Sequence, residues 1–171
     1  MSADSIQIVE YNQKWPEMFA AAREYLLSTV GEYVCGAIEH VGSTAVPGLC
    51  AKPVVDIMMG VQSLALSKDA ITLLKTNGYC YYPYKADVMH WFCKPTPASR
   101  THHLHLVPFQ SDLWFERLAF RDQLRENLSL ATEYASLKRK LAQQYKDDRE
   151  AYTQGKWPFI QDALASLVSK M

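Results

Sequence analysis

The sequence predicts an α+β or α/β domain: a mixed β-sheet flanked by helices comes first, and a helical C-terminal third packs on it. Three observations carry this. The run PVVDIMMGV (53–61) is almost continuously apolar and of strand length, the pattern of a strand buried on both faces. Three further strand candidates, 79–84, 89–94 and 102–108, follow in close order with turn residues between them. From Asp112 onward the period changes, and LWFERLAFRDQLREN, LATEYASLKRKLAQQY and KWPFIQDALASLVSK are all amphipathic at helical spacing.

Taken in order, residues 5–10 read as a short strand. Residues 14–30 have helical spacing, with Trp15, Met18, Phe19, Ala22, Leu26 and Val30 on or near one face and Gly31 as a stop. Residues 33–41 read as a strand entering the loop that precedes 53–61. Alternation along 53–61 puts Asp56, Met58 and Gly60 on one face and Val55, Ile57 and Met59 on the other. A helix over 64–76 is closed by Asn77-Gly78. In the helical third, Ser129 is a candidate N-cap and Glu133 favours the same start through its negative charge. No repeat, low-complexity tract or Gly/Ser linker divides the chain, so residues 1–171 read as a single domain.

Composition narrows the function. Lys+Arg and Asp+Glu are equal at 18 each, so no overall field attracts nucleic acid or an anionic membrane, although a local basic pocket is compatible with that balance. Hydrophobic residues are 49% and charged residues 21%, as in an ordinary globular protein. Cys35, Cys50, Cys80 and Cys93 are widely spaced with no C-x-x-C pair, which points to reduced thiols and a cytoplasmic address. The N-terminus lacks the pattern of a signal peptide, and no apolar run approaches the roughly 20 residues of a membrane span. Nothing in the sequence sets an oligomeric state.

The chemistry concentrates in HVGSTAVPGLCAKPVVDI (40–57). Its small residues offer backbone N–H groups to an anion, and Gly42 permits close approach. Ser43 and Thr44 add hydroxyl groups, Lys52 can neutralise phosphate charge, and Pro47 and Pro53 stiffen the loop. The plain alternative is a rigid turn with Lys52 on the surface. Asp56 shifts the balance, because a carboxylate inside VVDIMM is costly unless it is paired, hydrogen-bonded or metal-bound. In THHLHLV, His103 and His105 share the face opposite Leu104 and Leu106. Two imidazoles at i, i+2 with Asp56 make a two-His, one-carboxylate set for zinc, manganese, iron or nickel, and suit magnesium poorly. The plain alternatives are hydrogen-bonded histidines and an Asp56 ion pair with Arg or Lys. His90 and His102 read as structural or surface residues. The cluster Tyr79, Tyr81, Tyr82, Tyr84, Trp91 and Phe92 either stacks a ring or builds the sheet.

The run IEHVGSTAVPGLCAKPVVDIMMGV, followed by NGY, THHLHLV, LAFRDQLREN and YASLKRKLAQQYKDDREAYTQGK, resembles the GrpB-like (UPF0157) family over nearly the whole chain. That resemblance implies a nucleotidyltransferase-superfamily fold, in which a G-S turn precedes an acidic pair on the next strand and a third acid lies on a later one. Those acids hold two divalent metals that bind a nucleoside triphosphate. Gly42-Ser43 matches the turn and Asp56 the first acid. Met58 stands where the second acid would be, and His103-Leu104-His105 stands where the third would be. The dephospho-CoA kinase name attached to some of the family requires a P-loop, and no G-x-x-x-x-G-K-[ST] is present. The family pattern also draws attention to Arg121-Asp122, Lys138, Tyr152 and Lys156. Arg121, Lys138 and Lys156 either converge on phosphate held by the Ser43 loop or are solvated helix charges.

The leading expectation is a metal-dependent nucleotidyltransferase-like protein acting on a nucleotide or other phosphorylated small molecule. Asp56, Ser43 and Lys52 are its candidate catalytic residues. Gly42, Ser43, Thr44, Lys52, Arg121, Lys138 and Lys156 form its anion site. Asp56, His103 and His105 hold one divalent metal, zinc or manganese before magnesium. A non-catalytic nucleotide- or anion-binding module that has lost the acidic triad is the alternative, and an interaction or chaperone-accessory domain ranks third.

Overall fold

The computed structural model describes residues 5–169, in which five strands form one mixed sheet. They are β1 (Ile38–Val41), β2 (Val55–Val61), β3 (Cys80–Tyr82), β4 (His90–Pro95) and β5 (Arg100–Pro108), ordered β1-β2-β5-β4-β3. β2 and β5 run parallel and the other neighbours antiparallel. The helices are α1 (Trp15–Val30), α2 (Lys68–Thr76), α3 (Asp112–Glu126), α4 (Leu128–Gln144) and α5 (Arg149–Val168).

Strand alternation divides the core into two layers, as the sequence predicts. On one face Val55, Ile57 and Met59 of β2, Leu104 and Leu106 of β5 and Phe92 of β4 pack on Leu26 and Val30 of α1 and Leu74 of α2. On the other, Met58, Trp91, Cys93 and Val107 pack on Trp114 of α3. Beyond α3, Leu124, Ala131 and Tyr134 enclose Val46 and Leu49 of the loop after β1. Tyr152 of α5 packs with Leu141 and Ala142 of α4 and with Ile6. The C-terminal helices thus clamp the loop between β1 and β2 against the sheet. Each fully buried Ile, Leu or Met here contributes about 1.5–3 kcal/mol relative to exposure.

Several boundaries differ from the sequence expectation. Residues 5–10 form no strand; Val9 makes one isolated bridge to Ala51. The strand expected over 33–41 is confined to β1, because a 3-10 turn at Gly31–Tyr33 and a positive φ at Gly36 intervene. The helix expected from residue 64 begins at Lys68, since Ser63 and Ser67 close a local turn, with the Ser63 Oγ accepting from Leu66 N–H and the Ser67 hydroxyl donating to Ser63 C=O. The N-cap of α4 is Asn127, whose side chain accepts from Leu130 N–H, and Ser129 lies inside the helix bonded to Glu133. Asp148 caps α5, so EAYTQGK is helical and Tyr152 and Lys156 share one face a turn apart. The His90 Nε2–H donates to Leu64 C=O, and His102 Nδ1 bonds the Thr101 hydroxyl. No helix among the described residues is long and apolar enough to cross a membrane.

Leu104 is fully buried and Leu128 is 82% exposed. Leu104→Ala is expected to lower the urea-unfolding free energy by about 2–5 kcal/mol, and Leu128→Ala by no more than about 0.5 kcal/mol.

Candidate functional site

Two cross-strand rows make the floor of the site. Asp56 of β2 lies opposite His103 of β5, which lies opposite Cys93 of β4; one step along, Met58, His105 and Trp91 form the next row. Parallel pairing of β2 with β5 is what brings a carboxylate and two imidazoles, remote in sequence, to the same face. The His103 Nδ1–H donates to Asp56 Oδ1 at 3.1 Å, and the His105 Nε2–H donates to the same oxygen at 3.4 Å. The other carboxylate oxygen faces the loop after β1. A Cβ built on Gly42 would lie 2.7 Å from Asp56 Oδ2, so only glycine lets the backbone pass there. Gly42 also has φ 73° and ψ −174°, a conformation other residues rarely enter.

Hydrogen-bond logic fixes the protons. The Arg117 Nη1–H donates to His105 Nδ1 at 3.1 Å, and a guanidinium has nothing but donors. His105 Nδ1 is therefore the acceptor, and its proton is on Nε2. Burial, with the Arg117 charge beside it, pushes His105 down to about 4, so the ring is neutral near pH 7. Burial works against ionisation of Asp56, but the bonds from His103 and His105 prevail and hold its carboxyl well below the usual carboxylate range. His103 Nε2 is buried and has no partner.

The nitrogen and oxygen donors of Asp56, His103 and His105 lie within 4.8 Å of one another. For metal–ligand bonds of about 2.0–2.1 Å, the edge of a tetrahedron is about 3.4 Å. The two nitrogen–oxygen separations, 3.1 and 3.4 Å, are close to that. Two imidazoles, the His105 ring neutral, beside an ionised carboxylate fit zinc or manganese better than magnesium. Met58, two residues along β2 from Asp56, is fully buried in apolar company and offers no second carboxylate on that face.

Above the floor, cations arrive from the loop and two helices. The Lys138 ammonium of α4 donates to Ser43 Oγ at 2.9 Å and to the carbonyl of Cys50, and lies 4.9 Å over the Tyr134 ring. Lys52 and Lys156 both lie over the Tyr152 ring, at 5.3 and 4.4 Å. Asp56 pulls electrostatically on both. Burial drives Lys138 down to about 8 and Lys156 to about 7, the latter helped by repulsion from Lys52.

Of the residues singled out in the sequence, Asp56, His103, His105, Gly42, Ser43, Lys52, Lys138 and Lys156 come together. Two are engaged elsewhere. Thr44 is 2% exposed, with its hydroxyl bonded to His40 Nε2 at 2.9 Å. Arg121 donates to Glu39 (2.7 Å), to Asp122 (2.8 Å) and to His40 C=O (3.1 Å), which fastens α3 to β1. The residue missed was Arg117. Its signal was present: in α3 it falls on the same face as Trp114, Arg121 and Leu124, where a charge needs a reason.

The fold is that of an α+β domain in which Lys52, Lys138 and Lys156 gather around Ser43 and an Asp-His-His cluster. Residues 5–166 match the family described as GrpB protein, and the chain belongs to that family. It is 36% identical over 162 residues to the "Glutamate-rich protein GrpB" of Alkalihalophilus pseudofirmus, covering 92% of each. It is 38% identical over 158 residues to a UPF0157 protein of Pseudomonas aeruginosa, covering 90% of this chain but 64% of that longer one. A crystal structure of GrpB from Enterococcus faecalis superposes with TM-score 0.86 at 32% identity, over 96% of this chain and 98% of that one.

Gly42→Ala is expected to cost about 1–3 kcal/mol in chemical unfolding, from the strained backbone and the contact with Asp56. Gly48→Ala, with positive φ but open space around it, is expected to lose less in the same measurement.

Proposed function

We propose that this chain binds a phosphorylated small molecule, with a nucleotide as the first candidate, together with one divalent metal, and that it transfers or hydrolyses the phosphoester. The observation that carries this reading is the convergence of Lys52, Lys138 and Lys156 on Ser43 and Asp56 from three separate segments. Buried ammonium groups in mutual repulsion are relieved by an anion and by little else.

In this reading Gly42 and Ser43 present the loop to a phosphate and the three lysines neutralise it. Arg121 and Thr44 play supporting parts in the frame. Asp56, His103 and His105 would hold the metal, which when bound would act as a Lewis acid on the phosphoryl group. Lys138 keeps Ser43 oriented. The Gly-Ser turn followed by Asp56 on β2 is the part of the arrangement that favours a nucleotidyltransferase-like lineage. A cytoplasmic location remains the expectation that four unbridged cysteines support.

A second reading is a binding module without turnover. The buried Met58 and the single carboxylate favour it, because two-metal phosphoryl transfer has too few acids here. The two readings share the anion site and part on whether product forms.

The anion site is testable without knowing the substrate. Sulfate is a suitable probe because its charge does not change across this pH range. Lys156 titrates near 7 and Lys138 near 8 in the free protein, so above those values an anion must bring a proton with it. Calorimetric sulfate affinity is expected to be greatest below about pH 7 and to fall from about pH 7 to about pH 9, with proton uptake visible as a buffer-dependent enthalpy. Lys156→Met is expected to weaken binding about ten-fold or more at pH 6.5 or so and to flatten the profile. Affinity that is flat with pH and unchanged in Lys156→Met would remove the anion site from the account.

A further inference from the structure

The aromatic cluster of β3 and β4 separates into two groups. Tyr79, Trp91 and Phe92 are buried and build the sheet, and Tyr81 packs against the same core. Tyr82 and Tyr84 instead stand 52% and 47% exposed, and Trp157 of α5 is 46% exposed. These three rings gather beside the site. Tyr82 lies opposite Trp91, and Trp91 opposite His105, so all three share the sheet face that carries Asp56 and His103. The rings of Tyr82 and Tyr84 each make a T-shaped pair with Trp91, with centroids at 6.2 and 6.4 Å. Trp91 in turn lies 5.1 Å from the His103 ring.

Trp157 closes the arc from the other side. It directly follows Lys156, whose ammonium lies over the Tyr152 ring. The Lys85 ammonium spans the gap between loop and helix, 5.6 Å over the Tyr84 ring and 5.8 Å over the Trp157 ring. The segment between β3 and β4 is shaped to put it there. Lys85 holds φ 47°, a conformation strained for a residue with a side chain, and its carbonyl accepts from the N–H groups of Val88 and Met89 at 3.0 and 3.1 Å. Two aromatic faces therefore look onto one small volume at the rim of the site.

We propose that Tyr84, Trp157 and Lys85 form a base subsite, in which the nucleobase of a nucleotide stacks while its phosphate rests on Lys52, Lys138 and Lys156. The inference rests on the anion site and does not involve the metal. Continuity places the subsite: Lys156 and Trp157 are consecutive, so a single turn of α5 serves both ends of the ligand. Chemistry names the occupant. Solvent-facing aromatic rings are platforms for a flat ring, and a ligand without one gains nothing from them. Lys85 has three donors and no acceptor, which suits the ring nitrogens and carbonyl oxygens along a base edge. Inorganic phosphate or a sugar phosphate would leave all three side chains unused.

Isothermal titration of the full chain with adenosine 5′-monophosphate and with ribose 5-phosphate tests this, because both carry ribose and phosphate and only the first carries a base. The nucleotide is expected to bind about ten-fold tighter or more, the scale of one stacked base. With Tyr84→Leu and Trp157→Leu combined, that advantage is expected to shrink to about two-fold or less, through loss of nucleotide affinity. Equal affinity of the two ligands in the unsubstituted chain would overturn the base subsite and leave the anion site standing. Failure of both ligands and of sulfate to bind would overturn the anion site itself, a separate outcome. An equal loss of both ligands in the double variant would give the rings a structural part only, and would overturn the subsite too. Tryptophan fluorescence supplies a second reading. The nucleotide is expected to quench it where ribose 5-phosphate does not, and Trp157→Leu to lose most of that quenching; quenching unchanged in Trp157→Leu contradicts the proposal.

Discussion

Asp56 is a carboxylate on an interior strand, beneath a loop and three helices. Placing such a charge there costs several kcal/mol unless hydrogen bonds and opposite charges answer it. Most of what distinguishes this site follows from that requirement. β5 answers with His103 and His105, both donating to one oxygen. The loop after β1 answers by thinning to Gly42, so its backbone rather than a side chain meets the other oxygen. The helices answer with ammonium and guanidinium groups, and they overshoot. Lys52, Lys138 and Lys156 are gathered near Asp56, and their own burial lowers their proton affinity while Asp56 raises that of Lys52 and Lys156. That gathering of positive charge is the basis of the proposed anion site.

The C-terminal third is more than a cover for the sheet. Each of its helices carries a cation on its apolar stripe: Arg117 beside Trp114 in α3, Lys138 a turn from Tyr134 in α4, and Lys156 a turn from Tyr152 in α5. Tyr134 and Tyr152 are buried aromatic platforms for the ammonium groups, and their faces offset part of the desolvation that the lysines suffer. Packing and charge placement are one design here. The contacts that hold the helices on the loop also set the distance between the lysines and Ser43.

Much of this was legible in the sequence because strand period is strict. A carboxylate at position 56 and histidines at 103 and 105 could be assigned to faces from alternation alone, and the rows in β2 and β5 follow it. The nature of the helical third was equally clear from its period. What alternation does not carry is register between distant strands, so the meeting of Asp56 with His103 had to come from the fold. Local hydrogen bonds misled at the edges: Asn127 outcompeted Ser129 as a cap, and Ser63 with Ser67 held back the start of α2. Residues 5–10 had strand-like composition but only one bridging partner, at Ala51. Arg121 and Thr44 looked like phosphate ligands in one dimension, yet nearer acceptors claimed them. Arg117 was overlooked for the converse reason, since a charge among helix charges is conspicuous only when its face is known.

In the proposed function, one pocket takes an anion on its lysines and a metal on Asp56, His103 and His105. The most direct measurement is a crystal structure of the protein grown with zinc and sulfate, with the metal located by anomalous scattering at the zinc edge. One strong zinc peak bonded to Asp56, His103 and His105 is expected, with a sulfate against Lys52, Lys138 and Lys156. A zinc peak elsewhere, with Asp56 still accepting from both histidines, would contradict it.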